Sequence, residues 1–262
     1  MSSPATPAIS VRRLTKSFGA VTVLHDIDVE IGGGEFIGLM GPNGAGKSTL
    51  IKILDGIYDA SGGEIRLDGK PVSCLADSAD VGFIHQDLGL IDDLSIVDNL
   101  RLGERPLRLI GPILDRRAER LEAERALKLV ELDAPVDTEV GMLSPGEKTL
   151  VAVARVFARG ARILFVDEAT STLPPGDARR VIASLAKAAL CEPTRGVDVA
   201  TRAEIYRLIR QLRNGGSGIL IVSSDTEDLL AVCDRIAVVI GGVLSAVQPA
   251  EDMELADLEA LV

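Results

Sequence analysis

The 262-residue sequence has no tryptophan and only two histidines, and aromatic residues make up 3% of it. So few rings leave little surface on which the bases of a single strand could stack. With histidine confined to His25 and His85, a histidine-built metal centre is excluded as the basis of function. Cysteine is equally sparse. Cys74, Cys191 and Cys233 are odd in number, far apart and without the paired spacing of a zinc site. They read as reduced thiols of a cytosolic protein rather than as a disulfide framework. Excess positive charge is also missing. The formal net charge is −11, which argues against nucleic acid as a partner, because that requires a broad cationic footprint. One local positive pocket for an anionic ligand remains compatible with it.

No long apolar run is present either. The opening MSSPATPAISVRR lacks the hydrophobic core of a signal peptide. The longest apolar stretch, Ile236 to Val247, is too short to cross a bilayer and contains a Gly-Gly turn. The expectation is a chain on the cytosolic side that reaches a membrane only by docking to another subunit.

What is present is globular. Hydrophobic residues make up 47% and charged residues 26% of a chain long enough to bury a sizeable core. Residues 9–31 alternate apolar and polar around a turn at Phe18 to Ala20, which predicts two antiparallel strands. EFIGLM (35–40) reads as a short buried strand, and GPNGAGKST (41–49) leads into the apolar-periodic LIKILDGI. EIRLDGKPV (64–72) carries an Asp-Gly hairpin signal. Asp115 can cap a helix running to about Leu132, with Ala123, Leu127 and Val130 on one face. LSPGEK (143–148) opens a second helix, whose stripe is Leu150, Val151, Ala154, Phe157 and Ala158. Residues 94–160 thus read as a helical subdomain inserted in an α/β core. RILFVD (162–167), GILIVSS (218–224) and RIAVVIGG (235–242) read as strands. Helical patterns cover 177–190 and 200–213, and a short acidic helix is expected over 250–262. Strands alternating with helices predict a mostly parallel sheet.

Residues 41–48 fit the pattern G-x-x-x-x-G-K-[ST], placed between a buried strand and a helix. Gly41, Asn43, Gly44, Ala45 and Gly46 would wrap backbone N–H groups around phosphate oxygens; Pro42 belongs to the same loop without an N–H of its own, and Thr49 completes the run. The helix N-terminus adds partial positive charge. Lys47 can reach the terminal phosphates and Ser48 can hold Mg²⁺. ILFVDE (163–168) puts Asp167 and Glu168 at the carboxyl end of a buried strand, the edge that faces the ligand crevice in a parallel sheet. There Asp167 can hold Mg²⁺ through a water and Glu168 can polarise an attacking water. Both patterns have plainer readings, a glycine-rich helix cap and an acidic helix start.

Taken in order, Gly41–Thr49, Gln86, LSPGE (143–147) and ILFVDE (163–168) resemble the motifs of ABC transporter nucleotide-binding domains. LSPGE is the specific element, since other P-loop proteins lack it. HQDLGLIDDLSIVDNL (85–100) is similar to the corresponding region of monosaccharide importers. The resemblance covers nearly the whole chain. It implies a P-loop NTPase (RecA-like) α/β core with an N-terminal antiparallel β subdomain and the inserted helical subdomain, all within one nucleotide-binding domain, 1–262. It implies ATP and Mg²⁺ as ligands, and Phe18 as the ring that stacks on adenine. Gln86 would contact Mg²⁺ or water and sense the membrane subunit. Ser144, Gly146 and Glu147 would grip the γ-phosphate of a nucleotide bound to a second cassette, although Ser144 is equally an ordinary helix cap. Integral membrane permease subunits, a second cassette (a copy of this chain or a different one) and, indirectly, a sugar-binding protein are the implied partners. The implied place is the cytoplasmic face of the cell membrane.

The chain departs from the family in places. Residues 1–189 resemble the first cassette of tandem sugar-importer proteins, whereas CEPTRGVDVATRAEIYRLI from Cys191 resembles the end of the second. The seam near 190 reads as a shortened or recombined tandem protein, or as a divergent lone cassette. Ser224 stands where the family usually has a histidine, Ala169 replaces the usual proline, and Pro174 replaces an aspartate. Ser224 can hydrogen bond but carries no charge, so slow hydrolysis is expected. Two readings follow: an ATPase that powers sugar import, or a cassette that grips ATP and dimerises without hydrolysing it.

Overall fold

The computed structural model describes residues 8–85, 87–104, 107–110, 113–167, 218–222, 226, 229–230, 233–245, 247–253 and 258. Gln86, Glu168, Ser224, the expected helices at 177–190 and 200–213, and the seam near 190 lie outside them.

The N-terminal alternation folds as expected. β1 (Ile9–Phe18) and β2 (Val21–Ile31) pair antiparallel around Gly19 and Ala20. β3 (Phe36–Met40) is buried throughout and leads through the glycine-rich loop into α1 (Lys47–Leu54). β4 (Gly62–Leu67) and β5 (Lys70–Val72) are joined at Asp68 and Gly69, both at positive φ (47° and 75°), as a two-residue hairpin turn requires. These strands form an antiparallel sheet in the order β2-β1-β4-β5.

β6 (Val81–Ile84), α2 (Ile96–Arg101), the small hairpin β7 (Arg108–Ile110) and β8 (Ile113–Leu114), α3 (Arg116–Leu129) and α4 (Pro145–Ala158) follow. β9 (Ile163–Asp167), β10 (Gly218–Val222), β11 (Arg235–Ile240), β12 (Val243–Leu244) and β13 (Gln248–Pro249) complete the described strands. The second sheet runs β12-β11-β3-β10-β9-β6, and all its pairings from β11 to β6 are parallel. Its central strands are buried on both faces, which explains their unbroken apolar runs. Phe36, Leu164, Val166, Ile219 and Ile221 face a core shared with α2, α3 and α4. Their neighbours Ile37, Ile163, Phe165, Leu220 and Val222 face a second core shared with α1 and the antiparallel sheet.

Each helix of the first layer is capped locally. Ser95 accepts from the Asp98 N–H, Asp115 from Ala118, and Ser144 and Glu147 form a reciprocal capping box. Asn99 is wholly buried. Its carbonyl accepts from the Ile91 N–H (2.8 Å), and its amide donates to the carbonyls of Ile91, Leu94 and Ser95 at 2.9–3.2 Å. From α4, Arg155 donates to the carbonyls of Leu88 (2.6 Å) and Gly89 (2.8 Å).

Three expectations need correction. α3 stops at Leu129, three residues early, because Glu131 adopts φ 53° and the N–H of Leu132 turns back to the Leu127 carbonyl. Ala158 is exposed, while Val153 and Val156 are buried, because α4 is wedged between the other helices and β6. Val156 lies so close to Gly82 that an added Cβ there would come within 2.0 Å of it. Residues 250–252 form a 3₁₀ turn that ends in extended backbone at Met253, so the acidic helix does not begin there.

Candidate functional site

The turn between β3 and α1 is built by glycine. Gly41, Gly44 and Gly46 sit at φ 146°, 79° and 109°. At Gly41 a Cβ would meet the Val239 carbonyl at 2.1 Å, and at Gly46 it would meet Leu24 Cδ2 at 2.7 Å. At Gly44 it would meet nothing within 4 Å, so the loop is walled on two sides and open at its crown. Asn43 and Gly44 are exposed, Pro42 is half-buried, and Ala45 is buried. Gly46 is the N-cap of α1 and supplies no side chain to the first helical N–H groups, which leaves them to an anion. Lys47 is 5% exposed and donates to the carbonyls of Gly41 (2.7 Å) and Pro42 (3.1 Å), which draws its ammonium across the loop. Ser48 is exposed and Thr49 half-buried on the same helical turn. This donor set fits a polyphosphate.

The glycines make the loop testable. Gly41→Ala should cost about 2–4 kcal/mol of stability, since it combines a backbone clash with a strained φ. Gly44→Ala should cost only about 1 kcal/mol, for φ alone. Urea unfolding of both variants checks this, and equal losses would mean that Val239 does not wall the loop at Gly41.

Asp167 ends β9 and is 6% exposed. β9 and β3 are separated by β10 alone and run parallel to it, so Asp167 and the phosphate loop stand on the same sheet edge. β6 ends at Ile84 beside Val166, which brings His85 to that edge as well. His85 stacks on Phe83, and its Nε2–H donates to the carboxylate of Asp55, the C-cap of α1, at 2.6 Å. The hydrogen bond to Asp55 holds the His85 pKa above 6.5; burial opposes the shift, and the charges of Asp55 and Asp167 add to it. A raised folded-state value means that this contact stabilises fully below the unfolded pKa and fades as pH rises through the folded one. His85→Gln should therefore destabilise more at about pH 6 than at about pH 9. Urea midpoints at the two values check it, and an equal loss at both would refute it.

Phe18 ends β1 and is 44% exposed, edge-on to Tyr58 at 5.3 Å. At the tip of α4, Ser144 is exposed, Gly146 buried and Glu147 half-buried. The Ser144 N–H and hydroxyl both donate to Glu147 Oε2 at 2.8 Å. The principal neighbours of α4 are α2, α3 and β6, whereas α1 packs on β2 and β9. Within one chain, LSPGE and the phosphate loop therefore belong to different layers.

A sequence-family model described as ABC transporter matches residues 24–171. The chain belongs to the ABC transporter family. A ribose import ATP-binding protein RbsA of Chromobacterium violaceum is 38% identical over 239 residues, 89% of this chain and 42% of its own length. A putative ribose/galactose/methyl galactoside import ATP-binding protein of Burkholderia lata is 32% identical over 264 residues, 99% of this chain and 47% of its own. The chain spans about half the length of the curated relatives it matches. A nucleotide-free ATP-binding cassette from an ABC transporter superposes with a TM-score of 0.72 at 20% identity, covering 97% of this chain and 96% of that one. The cbiO1 protein of Clostridium perfringens, part of the ABC transporter complex cbiONQ, gives 0.70 at 24%, covering 94% and 90%. These likenesses establish the fold: the antiparallel β subdomain and mostly parallel sheet of this ABC transporter family member are those of an ABC cassette.

Among the described residues of this ABC cassette, the fold brings Lys47, Ser48 and Asp167 to one sheet edge and sets Ser144, Gly146 and Glu147 apart. Sequence reading missed Asp55, Lys16 and Tyr58, which touch His85 and Phe18. Asp55 and Tyr58 follow from no spacing rule, because their contacts depend on where α1 ends, whereas Lys16 lies two residues before Phe18 on the same face of β1. No helix among the described residues is long and apolar enough to cross a membrane.

Proposed function

We propose that this chain is the ATP-hydrolysing subunit of an importer that carries a sugar across a membrane. The observation that carries the reading is the phosphate loop: an open glycine crown with Lys47 drawn across it, on the sheet edge where Asp167 ends its strand. ATP is the substrate. Its triphosphate lies against the loop of residues 41–49, with the N–H groups of all but Pro42, and against Lys47, and its base lies against Phe18. Mg²⁺, when bound, neutralises charge on the terminal phosphates, and Ser48, Gln86 and Asp167 are the residues to hold it. Glu168 accepts a proton from the attacking water, and Gln86 and Ser224 serve the same step. Ser144, Gly146 and Glu147 serve the nucleotide of a second cassette, identical or different, so that ATP joins the two until hydrolysis parts them.

The separation of α4 from α1 supports that division of labour. The ribose and galactose importers among the relatives support a sugar as cargo, and with it permease subunits, a sugar-binding protein as indirect partner and a place at the cytoplasmic face. The domain reading is likewise ours: one nucleotide-binding domain over 1–262, a helical subdomain over 94–160 and a recombination seam near 190. Ser224 and that seam favour a second reading, a cassette that binds ATP and dimerises without turning it over.

ATP turnover of the purified chain beside Ser224→His separates the two. Measurable wild-type turnover that histidine raises fits a slow ATPase. Turnover near zero that histidine restores fits the binding module. No turnover in either protein would sink the ATPase assignment.

A further inference from the structure

Phe18 does not stand alone. Tyr58 meets it edge-on, with ring centroids 5.3 Å apart and planes at 80°. Lys16 Nζ lies 4.8 Å from the Phe18 centroid and 5.6 Å from that of Tyr58, and it is fastened by a 2.5 Å hydrogen bond to the Asp59 carbonyl. Lys52 Nζ approaches Tyr58 at 5.7 Å. These side chains come from two places. Lys16 and Phe18 alternate along β1, and Tyr58 follows α1.

The end of α1 explains the meeting. Gly56 adopts φ 82° and donates to the Ile53 carbonyl at 3.0 Å, while Ile57 donates back to Lys52 at 2.8 Å. This glycine-ended turn reverses the chain directly after the helix. It fixes Tyr58, whose own N–H also reaches Lys52. Meanwhile β2 passes the phosphate loop, where Leu24 lies against Gly46. Leu24 pairs with Lys16, so Phe18 stands two residues further along the strand, about 7 Å away.

An exposed phenylalanine at a strand end otherwise has rotamer freedom to lose when a ligand stacks on it, and that loss weakens binding. Edge-on aromatic pairing and cation–π attraction remove the freedom beforehand. The ring is still 44% exposed, so these contacts fix it without covering it.

We infer that Tyr58 and Lys16 are positioning residues for the nucleotide base: they hold Phe18 in one orientation, ready to stack. The inference rests on the proposed role of Phe18. The cluster also ties the base platform to the same helix whose first turn faces the phosphates, so both ends of the nucleotide are registered by α1.

The test measures binding of MgATP and of magnesium tripolyphosphate, which has no base, to the whole chain. Tyr58→Leu and Lys16→Gln should each weaken MgATP about 3- to 10-fold and leave tripolyphosphate unchanged. Tyr58→Phe, which keeps the ring, should behave as wild type. In a Phe18→Leu background, Tyr58→Leu should add no further loss for MgATP. If Tyr58→Leu weakens both ligands alike, its effect runs through the helix and the inference fails; Lys16→Gln, on the surface, decides the matter should Tyr58→Leu fold poorly. If Phe18→Leu lowers MgATP binding selectively but neither other variant does, only the positioning role is lost. If Phe18→Leu leaves both ligands unchanged, the base-stacking assignment falls and the inference with it.

Discussion

Lys47→Ala is expected to bind MgATP roughly 10- to 100-fold more weakly than the wild-type chain, the loss of charge-assisted hydrogen bonds of about 1.5–3 kcal/mol. Lys47 is nearly buried, and its ammonium is held at the loop mouth by the Gly41 and Pro42 carbonyls. Those carbonyls are modest partners. Anionic phosphate oxygens are stronger ones, so the ammonium gains on exchanging one for the other. The same carbonyls lose a donor in the variant, and some stability goes with it. Thermal unfolding without nucleotide measures that part; calorimetric titration of MgATP and of tripolyphosphate measures the rest. Superimposable titration curves for variant and wild type would show that residues 41–49 are not the phosphate site.

Glu168→Gln should leave MgATP affinity within a few-fold of wild type and lower turnover about 100-fold or more, the usual weight of a general base. Glutamine keeps the shape and a hydrogen bond to water but cannot take a proton. The assignment leans on Asp167, one residue before it, which ends β9 on the same edge as the loop. Single-turnover phosphate release beside equilibrium binding separates the two effects. Turnover at the wild-type rate would move the base to another residue.

Much of this was legible in the sequence where the signal is local. The Ser144 cap, the Asp115 cap and the Asp68-Gly69 turn are set by neighbours within three residues, and all form as read, with Glu147 closing a capping box at Ser144 besides. The apolar runs of β3 and β9 likewise announced strands buried on both faces. β6 was not legible: four residues carry no period, and Val81 to Ile84 become a strand only by pairing with β9. Nor was the end of α3, because Glu131 takes a left-handed conformation without a glycine to mark it. At the site, Lys47 and Asp167 followed from motif chemistry. The Asp55–His85 contact joins residues 30 apart, and it exists only because α1 ends against the strand edge.

The amide of Asn99 and the guanidinium of Arg155 together grasp the main chain at Leu88, Gly89, Ile91, Leu94 and Ser95. Backbone gripped at so many points has little slack to absorb a displacement. A displacement of residues 88–95 would therefore have to break these bonds or carry α2 and α4 along with it.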